Sequence, residues 1–232
     1  MKILILTTKT LHHHFFIKQL LKFYPKEVEV FFEEKKISFP FKVYHPFESK
    51  RILYEKKKFF DNKNFKLKKG ISFYDINSKE CIKKIRILNP KIIIVFGTGK
   101  IRDEIIKEFK NKIFNLHGGD PVLYRGLDSH LWGIYHNDYK FYVTLHKLEK
   151  KLDTGNIIFK KKIKKKNLKI FEIRYFTTLI CIDLSKKLIQ NFLNNKKIKE
   201  VKSKKIGRYY SAMPTSIKNI CYNKMNLFYG NK

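Results

Sequence analysis

Short apolar runs alternate with longer amphipathic segments along this chain. Runs such as KILILT at 2–7 and KIIIVFG at 91–97 have the length and continuous hydrophobicity of strands that are buried on both faces of a sheet. The whole pattern predicts six strands, at 2–7, 28–34, 91–97, 112–117, 141–149 and 156–164.

Amphipathic segments lie between these strands. They predict helices at 10–22, 78–88, 101–110, 127–136 and 170–193. Ser78 is expected to cap the second helix, which ends before Asn89-Pro90, and Asp128 is expected to cap the fourth. Residues 40–75 contain two prolines and many lysines without a clear period, which indicates an excursion or an extra helix.

This alternation predicts an α/β, Rossmann-like fold with a largely parallel central sheet flanked by helices. A chain of 232 residues fits one domain, which we place at 1–195, followed by a short C-terminal extension at 196–232. The extension includes KIGRYYSAMPTSI, for which we expect a hairpin or an arm. Ligands of such sheets bind beyond the carboxyl ends of the strands, where Gly97 and His117 fall.

The net charge of +32 suggests an anionic partner. Only six of the 52 basic residues are arginines, however, and the abundant Lys, Ile, Asn, Phe and Tyr are the products of A/T-rich codons. Specific recognition of phosphates and bases relies on arginine forks, so the composition argues against nucleic-acid binding. The positive charge could still attract a small anionic substrate.

Three widely spaced cysteines, Cys81, Cys181 and Cys221, form no CxxC pair. Their odd number and spacing favour a reducing compartment over a disulfide framework or a zinc site. No apolar run approaches the roughly 20 residues of a membrane span, and the first run is too short for a signal peptide. We therefore expect a cytoplasmic protein without a membrane span.

The stretch NLHGGDPVLYRG, at 115–126, concentrates polar and flexible residues directly after a predicted strand. Asn115 and His117 are two positions apart and therefore point to the same face. Asp153 follows a strand-like run that can return it to the same edge. An amide, an imidazole and a carboxylate are sufficient for acyl transfer without a nucleophile, although a loop histidine with satisfied hydrogen bonds is the alternative interpretation.

These residues occur within a longer motif set. The Asn-x-His at 115–117, Tyr124-Arg125-Gly126, the Thr144-x-His146 pair and Leu152-Asp153-Thr154-Gly155 follow one another in order. The set resembles that of the folate-dependent formyltransferases, a superfamily that includes the glycinamide ribonucleotide, methionyl-tRNA and sugar N-formyltransferases. The resemblance is strongest over 90–160.

The resemblance implies N10-formyltetrahydrofolate as formyl donor, a primary amine as acceptor and no metal. Asn115 and protonated His117 would stabilise the oxyanion, and Asp153 would pair with His117. The donor pocket would lie between the strand end at 96–101 and the loop before Asp153. Its predicted contact residues are Phe96, Gly97, Thr98, Leu152 and Gly155.

Departures from the family pattern narrow the acceptor. This chain has HGGDP where many members have H.SLLP, and the change adds a carboxylate, Asp120. Asp120 could hold an ammonium or a sugar hydroxyl of the acceptor. The alternative is that it only starts an Asp-Pro turn. We predict acceptor contacts from Asp120, Tyr124 and Arg125. The glycinamide ribonucleotide enzymes have a glycine-rich phosphate loop after the first strand, whereas the loop TTKTLHHH of this chain contains no glycine. Only 37 residues follow Asn195, fewer than the tRNA-binding domain of the methionyl-tRNA enzymes would need.

By elimination, the expected acceptor is a nucleotide-linked amino sugar. The alternatives are a methionyl-tRNA formyltransferase with a minimal tail, a non-catalytic folate- or nucleic-acid-binding module, and hydrolysis of the formyl donor by water. The run His12-His13-His14 invites a metal interpretation, but adjacent helical residues face different directions. The edge at 141–149 could pair two subunits into a homodimer.

Overall fold

The computed structural model describes residues 1–230, except residues 64, 66, 68, 203 and 204. The strands are β1 (Ile3–Thr8), β2 (Val28–Glu33), β3 (Ile71–Phe73), β4 (Ile92–Phe96), β5 (Ile113–His117), β6 (Tyr124–Gly126), β7 (Tyr142–Lys147), β8 (Ile157–Lys162) and β9 (Arg208–Tyr210). The helices are α1 (Leu11–Phe23), α2 (Glu48–Phe60), α3 (Lys79–Leu88), α4 (Asp103–Glu108), α5 (Ser129–Tyr135), α6 (Ile173–Leu193) and α7 (Thr215–Gly230), and a short 3-10 turn at Ile170–Glu172 precedes α6.

A seven-stranded sheet in the order β3-β2-β1-β4-β5-β7-β8 forms the centre of the fold. The first five strands in this order, β3, β2, β1, β4 and β5, are parallel to one another. Strands β7 and β8 form an antiparallel hairpin beside β5. The predicted α/β fold with a largely parallel sheet is therefore confirmed. The chain runs outward from β1 to β3 and then crosses back to β4, so the strand order reverses between the neighbouring strands β1 and β4. Ligands of such sheets bind at this point, beyond the carboxyl ends of the strands.

Two apolar layers cover the sheet, which explains why its central strands are continuously hydrophobic. In β1, Ile3 and Ile5 belong to the layer that includes α1 and α6, whereas Leu4 and Leu6 belong to the layer that includes α3 and α4. All four side chains are fully buried. Alternate residues thus serve opposite faces, and the run needs no polar position.

Helix α2 confirms the extra helix expected within 40–75. A bidentate ion pair fixes it to α6: the Arg174 guanidinium donates to both carboxylate oxygens of Glu55, at 2.7 and 2.6 Å. Glu55 is fully buried, so this pair supplies the charge compensation that a buried carboxylate requires. Ser78 also caps α3 as predicted, since its hydroxyl accepts a hydrogen bond from the Cys81 amide at 3.2 Å.

The described residues after 195 add one strand and one helix, where we expected a hairpin or an arm. Strand β9 pairs in parallel with β6, and α7 places Cys221 and Met225 in the same apolar layer as α1 and α6. Asp128 takes part in this attachment. Its side chain makes no cap hydrogen bond to α5, contrary to our expectation, and instead accepts from the Met213 amide at 2.9 Å and pairs with Lys218 at 3.1 Å.

The proposed dimer edge at 141–149 is wrong as stated, because β7 is not an edge strand. It pairs with β5 on one side and with β8 on the other, so its backbone groups are engaged within the chain. Within the part of the chain that the structure describes, no helix has the length and apolarity to cross a membrane.

Candidate active site

A cavity of about 1040 Å³ opens at the carboxyl ends of β4 and β5. Asn115, His117 and Asp153 lie together in its wall. The ends of β4 and β5 and the start of α1 meet here because the parallel strands of the sheet end on this side. The loop between β7 and β8 also contributes to the cavity wall.

The register between β5 and β7 assembles the polar centre of this cavity. Asn115 lies opposite His146, and His117 lies opposite Thr144. Residues two apart on one strand share a face, so the two antiparallel partners bring these four side chains to one side of the sheet. Thr144 is fully buried and donates to the Gly119 carbonyl at 2.8 Å, which fixes the loop after His117.

Asp153 joins this group from the loop between β7 and β8. Its Oδ1 accepts from Asn115 Nδ2 at 3.1 Å and lies 3.3 Å from His146 Nε2. Its Oδ2 accepts from the Gly126 amide at 2.7 Å and lies 3.5 Å from His117 Nδ1. The backbone φ of Asp153 is 53°, a left-handed value that few residues other than glycine adopt, so these contacts hold the carboxylate in an uncommon conformation.

The surroundings of His117 and Asp153 set their charges. Burial lowers the pKa of His117, although the Asp153 carboxylate and the Tyr124 carbonyl act in the opposite direction. Burial by itself would raise the pKa of Asp153, but His117, His146 and the Gly126 amide together hold it well below its usual range. At neutral pH the site therefore combines an ionised carboxylate with an imidazole whose lowered pKa favours the neutral form at rest.

Both ring nitrogens of His117 nevertheless face oxygen acceptors, which suits a ring that gains a proton during a reaction. Nδ1 faces Asp153, and Nε2 lies 3.1 Å from the Tyr124 carbonyl and 3.3 Å from the Ser129 hydroxyl. The protonated ring would thus have an acceptor for each of its N–H groups. Negative charge that develops beside the ring would favour this form.

The Asn115 amide is held by two polar partners in the cavity wall. Its Nδ2 is 3.1 Å from Asp153 Oδ1 and 3.2 Å from His146 Nε2, and these two acceptors are only 3.3 Å apart. These contacts fix the amide beside Asp153 in the cavity wall, where it is placed to stabilise an oxyanion.

Four of the five residues predicted to contact the donor line the cavity. They are Phe96, Gly97, Thr98 and Leu152. Gly155 does not line it; a Cβ at this position would lie 1.9 Å from the Lys147 carbonyl oxygen, so the glycine permits close packing of the loop against β7.

The three predicted acceptor contacts are engaged within the protein and do not line the cavity. Asp120 starts the turn before β6, where it accepts from the Val122 amide at 3.1 Å, and it also forms a close ion pair with Lys160. The Tyr124 ring lies near His136 and Tyr210.

Arg125, the third of them, donates to backbone oxygens on two segments. Its Nε donates to the Gly207 carbonyl at 2.6 Å, and its Nη1 donates to the Leu152 carbonyl at 2.9 Å. The side chain thereby connects the segment before β9 to the loop that carries Asp153. This placement favours a positioning role over a direct contact with the acceptor.

The structure adds cavity residues that the sequence analysis did not select. Arg51, Arg174 and Thr177 line the cavity, although nothing in the sequence connected their helices to it. His146 lies within the motif set but was not assigned a role; it does not line the cavity, and its Nε2 lies 3.3 Å from Asp153 Oδ1. His12 and His13 both line the cavity with ring centroids 4.0 Å apart, so our expectation that adjacent helical histidines diverge is wrong here. Among the described residues, no cluster of three or more His, Cys, Asp or Glu side chains could hold a metal ion.

Replacing Gly126 with alanine is expected to lower the free energy of unfolding by about 2–4 kcal/mol, because strain and overpacking add. Gly126 has a φ of +93°, and a Cβ there would lie 2.1 Å from the Tyr210 carbonyl oxygen. Urea unfolding would measure the change. Gly118→Ala is the matched control, since its Cβ would meet Thr177 Cγ2 and His130 Cε1 at the ordinary distances of 3.4 and 3.8 Å. Equal midpoints for the Gly126→Ala variant and the unaltered protein would contradict the expectation.

Comparison with known proteins places this site in a family. The sequence profile of the formyl transferase family matches residues 48–167. The methionyl-tRNA formyltransferase of Finegoldia magna is 29% identical over 145 residues, which cover 60% of this chain and 47% of that protein. The chain thus spans about half the length of this curated relative.

Two solved structures share the fold at low sequence identity. The formyltransferase PseJ from Anoxybacillus kamchatkensis, solved with UDP-4,6-dideoxy-4-formamido-L-AltNAc and tetrahydrofolate, is 20% identical with a TM-score of 0.55, covering 91% of this chain and 86% of that one. A 4-N formyltransferase from Francisella tularensis is 16% identical with a TM-score of 0.62, covering 97% and 87%. Because the family profile covers more than half of the sequence and includes Asn115, His117 and Asp153, this chain belongs to the formyl transferase family.

Proposed function

We propose that this protein transfers the formyl group of N10-formyltetrahydrofolate to the primary amine of a nucleotide-linked amino sugar. The observation that carries the proposal is the arrangement of Asn115, His117 and Asp153 around one cavity, within 3.1–3.5 Å of one another through Asp153. We also propose that residues 1–195 form the catalytic domain, to which the extension contributes cavity residues such as Tyr209.

The donor supplies an acyl carbon at the formic acid level. When the acceptor nitrogen attacks this carbon, the new C–N bond forms and the carbonyl oxygen gains negative charge. The Asn115 amide and the His117 ring stabilise this charge. As the bond from carbon to the folate nitrogen breaks, the proton released by the amine passes to that nitrogen, through His117 or a water molecule.

Asp153 acts through His117 in this scheme. Its ionised carboxylate holds the imidazole orientation and stabilises the ring when it carries a proton. The carboxylate remains charged because its pKa is held well below the usual range. Low-dielectric surroundings strengthen these interactions, since both side chains are at least 90% buried.

The wall formed by β4 and the loop before Asp153 fits the donor. It combines the apolar side chains of Phe96, Ile101 and Leu152 with the backbone of the loop at 97–99. A flat heteroaromatic ring with hydrogen-bonding edges requires apolar faces and a few backbone donors and acceptors. The buried Glu33 accepts from the Gly99 amide at 2.6 Å and fixes this loop.

Three observations support the amino-sugar acceptor. The cavity of about 1040 Å³ is at the upper end of the roughly 300–1,000 Å³ that is usual for pockets with one drug-sized ligand, which suits a site that takes two substrates. PseJ, which shares the fold, was solved with a UDP-linked formamido sugar. A net charge of +32 suits a substrate that carries a diphosphate.

Methionyl-tRNA is the second candidate acceptor. It is favoured by the sequence relatives, of which the Finegoldia magna enzyme is one. Such an activity would require binding to tRNA phosphates, and its affinity would fall steeply with salt because each phosphate contact releases counterions.

The test is the release of tetrahydrofolate from N10-formyltetrahydrofolate, followed by absorbance. The panel contains nucleotide-linked amino sugars, initiator methionyl-tRNA, glycinamide ribonucleotide and water alone. We expect turnover on an amino sugar. Turnover only on the tRNA would replace our acceptor with the second candidate, turnover in water alone would indicate hydrolysis, and donor binding without turnover on any amine would indicate a non-catalytic module.

A further inference from the structure

Four buried polar atoms converge on the cavity without a hydrogen-bond partner among the described residues. They are His13 Nε2, His45 Nδ1, Arg51 Nε and Thr177 Oγ1. All four residues line the same cavity. Buried polar groups are nearly always paired in folded proteins, so this convergence of unpaired atoms marks a place where a polar ligand is expected.

These atoms come from four different parts of the chain. His13 belongs to α1, His45 to the connection before α2, Arg51 to α2 and Thr177 to α6. His13, Arg51 and Thr177 are each more than 90% buried. Four separate segments thus provide potential hydrogen-bond donors that line one cavity. Buried donors on fixed elements are typical of a specific anion site, whereas flexible surface lysines attract anions without specificity.

Two guanidinium groups give this part of the cavity a positive field. Arg51 forms a close pair with Glu48, and Arg174 pairs with Glu55 through Nε and Nη2, which leaves N–H groups on both arginines for a ligand. Burial and the charge of Arg174 lower the pKa of His13 to about 3. Burial and the charges of Arg51, Lys218 and Arg174 lower that of His45 to about 2.

Helix α6 connects this group to the reaction centre. Thr177 reaches the loop beside His117, since a Cβ built on Gly118 would lie 3.4 Å from Thr177 Cγ2. Arg174 precedes Thr177 by three residues, and both line the cavity. The helical rise separates them by only about 4.5 Å along the axis, so Arg174 lies one turn from the residue that contacts the loop after His117.

We propose that Arg51 and Arg174, together with His13, His45 and Thr177, form a subsite for the phosphate groups of the acceptor. This inference rests on the proposed function and names the part of the substrate that the subsite binds. Arginines suit phosphate oxygens because they offer forked donors and remain charged, and the hydroxyl and the imidazoles add directional hydrogen bonds.

Inorganic pyrophosphate, titrated into the full chain by calorimetry at about 0.15 M salt to screen the general positive charge, is the probe. We expect Arg51→Gln to weaken its binding by about 10- to 100-fold, the usual value of hydrogen bonds to a charged group. Arg174→Gln alone would leave Glu55 buried and unpaired, so the double variant Arg174→Gln/Glu55→Gln is used, and the same loss is expected.

Arg86→Gln is the matched control, because Arg86 pairs with Glu108 on the surface and does not line the cavity. It removes the same charge and should leave binding unchanged. If Arg51→Gln binds pyrophosphate as tightly as the unaltered protein does, or if Arg86→Gln weakens binding equally, the subsite does not exist. Circular dichroism confirms folding before each titration.

The source of the anion is tested by competition. Pyrophosphate should displace the nucleotide-linked amino sugar and leave 5-formyltetrahydrofolate bound. Displacement of the folate alone would show that the arginines hold the donor's carboxylates, and would overturn the proposal. If the protein formylates no amine but still binds pyrophosphate in a manner that requires Arg51, the proposed function fails and the anion subsite stands.

Discussion

Replacing His117 with alanine should lower kcat for formyl transfer by about 10²–10⁴-fold, the usual contribution of a positioned proton-transfer group. The imidazole is 6% exposed and lies between the Asp153 carboxylate, the Tyr124 carbonyl and the cavity. Its loss removes both a charge stabiliser and a proton carrier, whereas the cavity walls remain. KM for both substrates should therefore change much less than kcat.

Single-turnover kinetics with donor and acceptor at saturation would measure this effect on the chemical step. His14→Ala serves as the control, since His14 adjoins Phe32 and does not line the cavity. A loss of less than about threefold in kcat for the folded His117→Ala variant would exclude His117 from the chemistry, because general acid–base groups contribute at least tenfold more.

The parallel half of the sheet was predictable because its signals are local. The strands β1 and β4 are short, largely apolar runs, as expected of strands that are buried on both faces of a sheet. The Asn-x-His spacing likewise placed two side chains on one face without knowledge of their partners. Their pairing with Asp153 could be predicted only through the family motif, since the carboxylate arrives from a loop 36 residues away.

The rest of the cavity depends on contacts between distant segments. The sequence around Arg174 does not predict its ion pair with Glu55, because Glu55 lies 119 residues earlier in the chain. Strand β9 has only three residues, and its partner β6 precedes it by more than 80 residues, so no periodicity identifies either of them. Arg125 illustrates the same limit: its motif indicated a binding role, but its two backbone acceptors, Gly207 and Leu152, are visible only in three dimensions.

Asp153→Asn should lower kcat by about 10²–10³-fold and shift the acidic limb of the pH–rate profile to lower pH. The variant keeps the size of the side chain but removes its charge. Neutral His117 is the form that accepts a proton, so the rate rises with pH through its pKa, which burial places below 6.5. The Asp153 carboxylate raises that pKa, and without it the limb moves further toward acid.

The same substitution also tests stability. Because the pKa of Asp153 is lower in the folded protein than in the unfolded chain, its charge stabilises the fold above the unfolded value of about 4, and this contribution disappears as the pH falls through the folded value. The difference in Tm between the unaltered protein and Asp153→Asn should therefore be largest near pH 7 and shrink below pH 4. Asp183→Asn, which removes an exposed carboxylate paired with Lys161, should show neither effect. A fall in kcat without any movement of the acidic limb would mean that Asp153 supports the loop and not the protonation of His117.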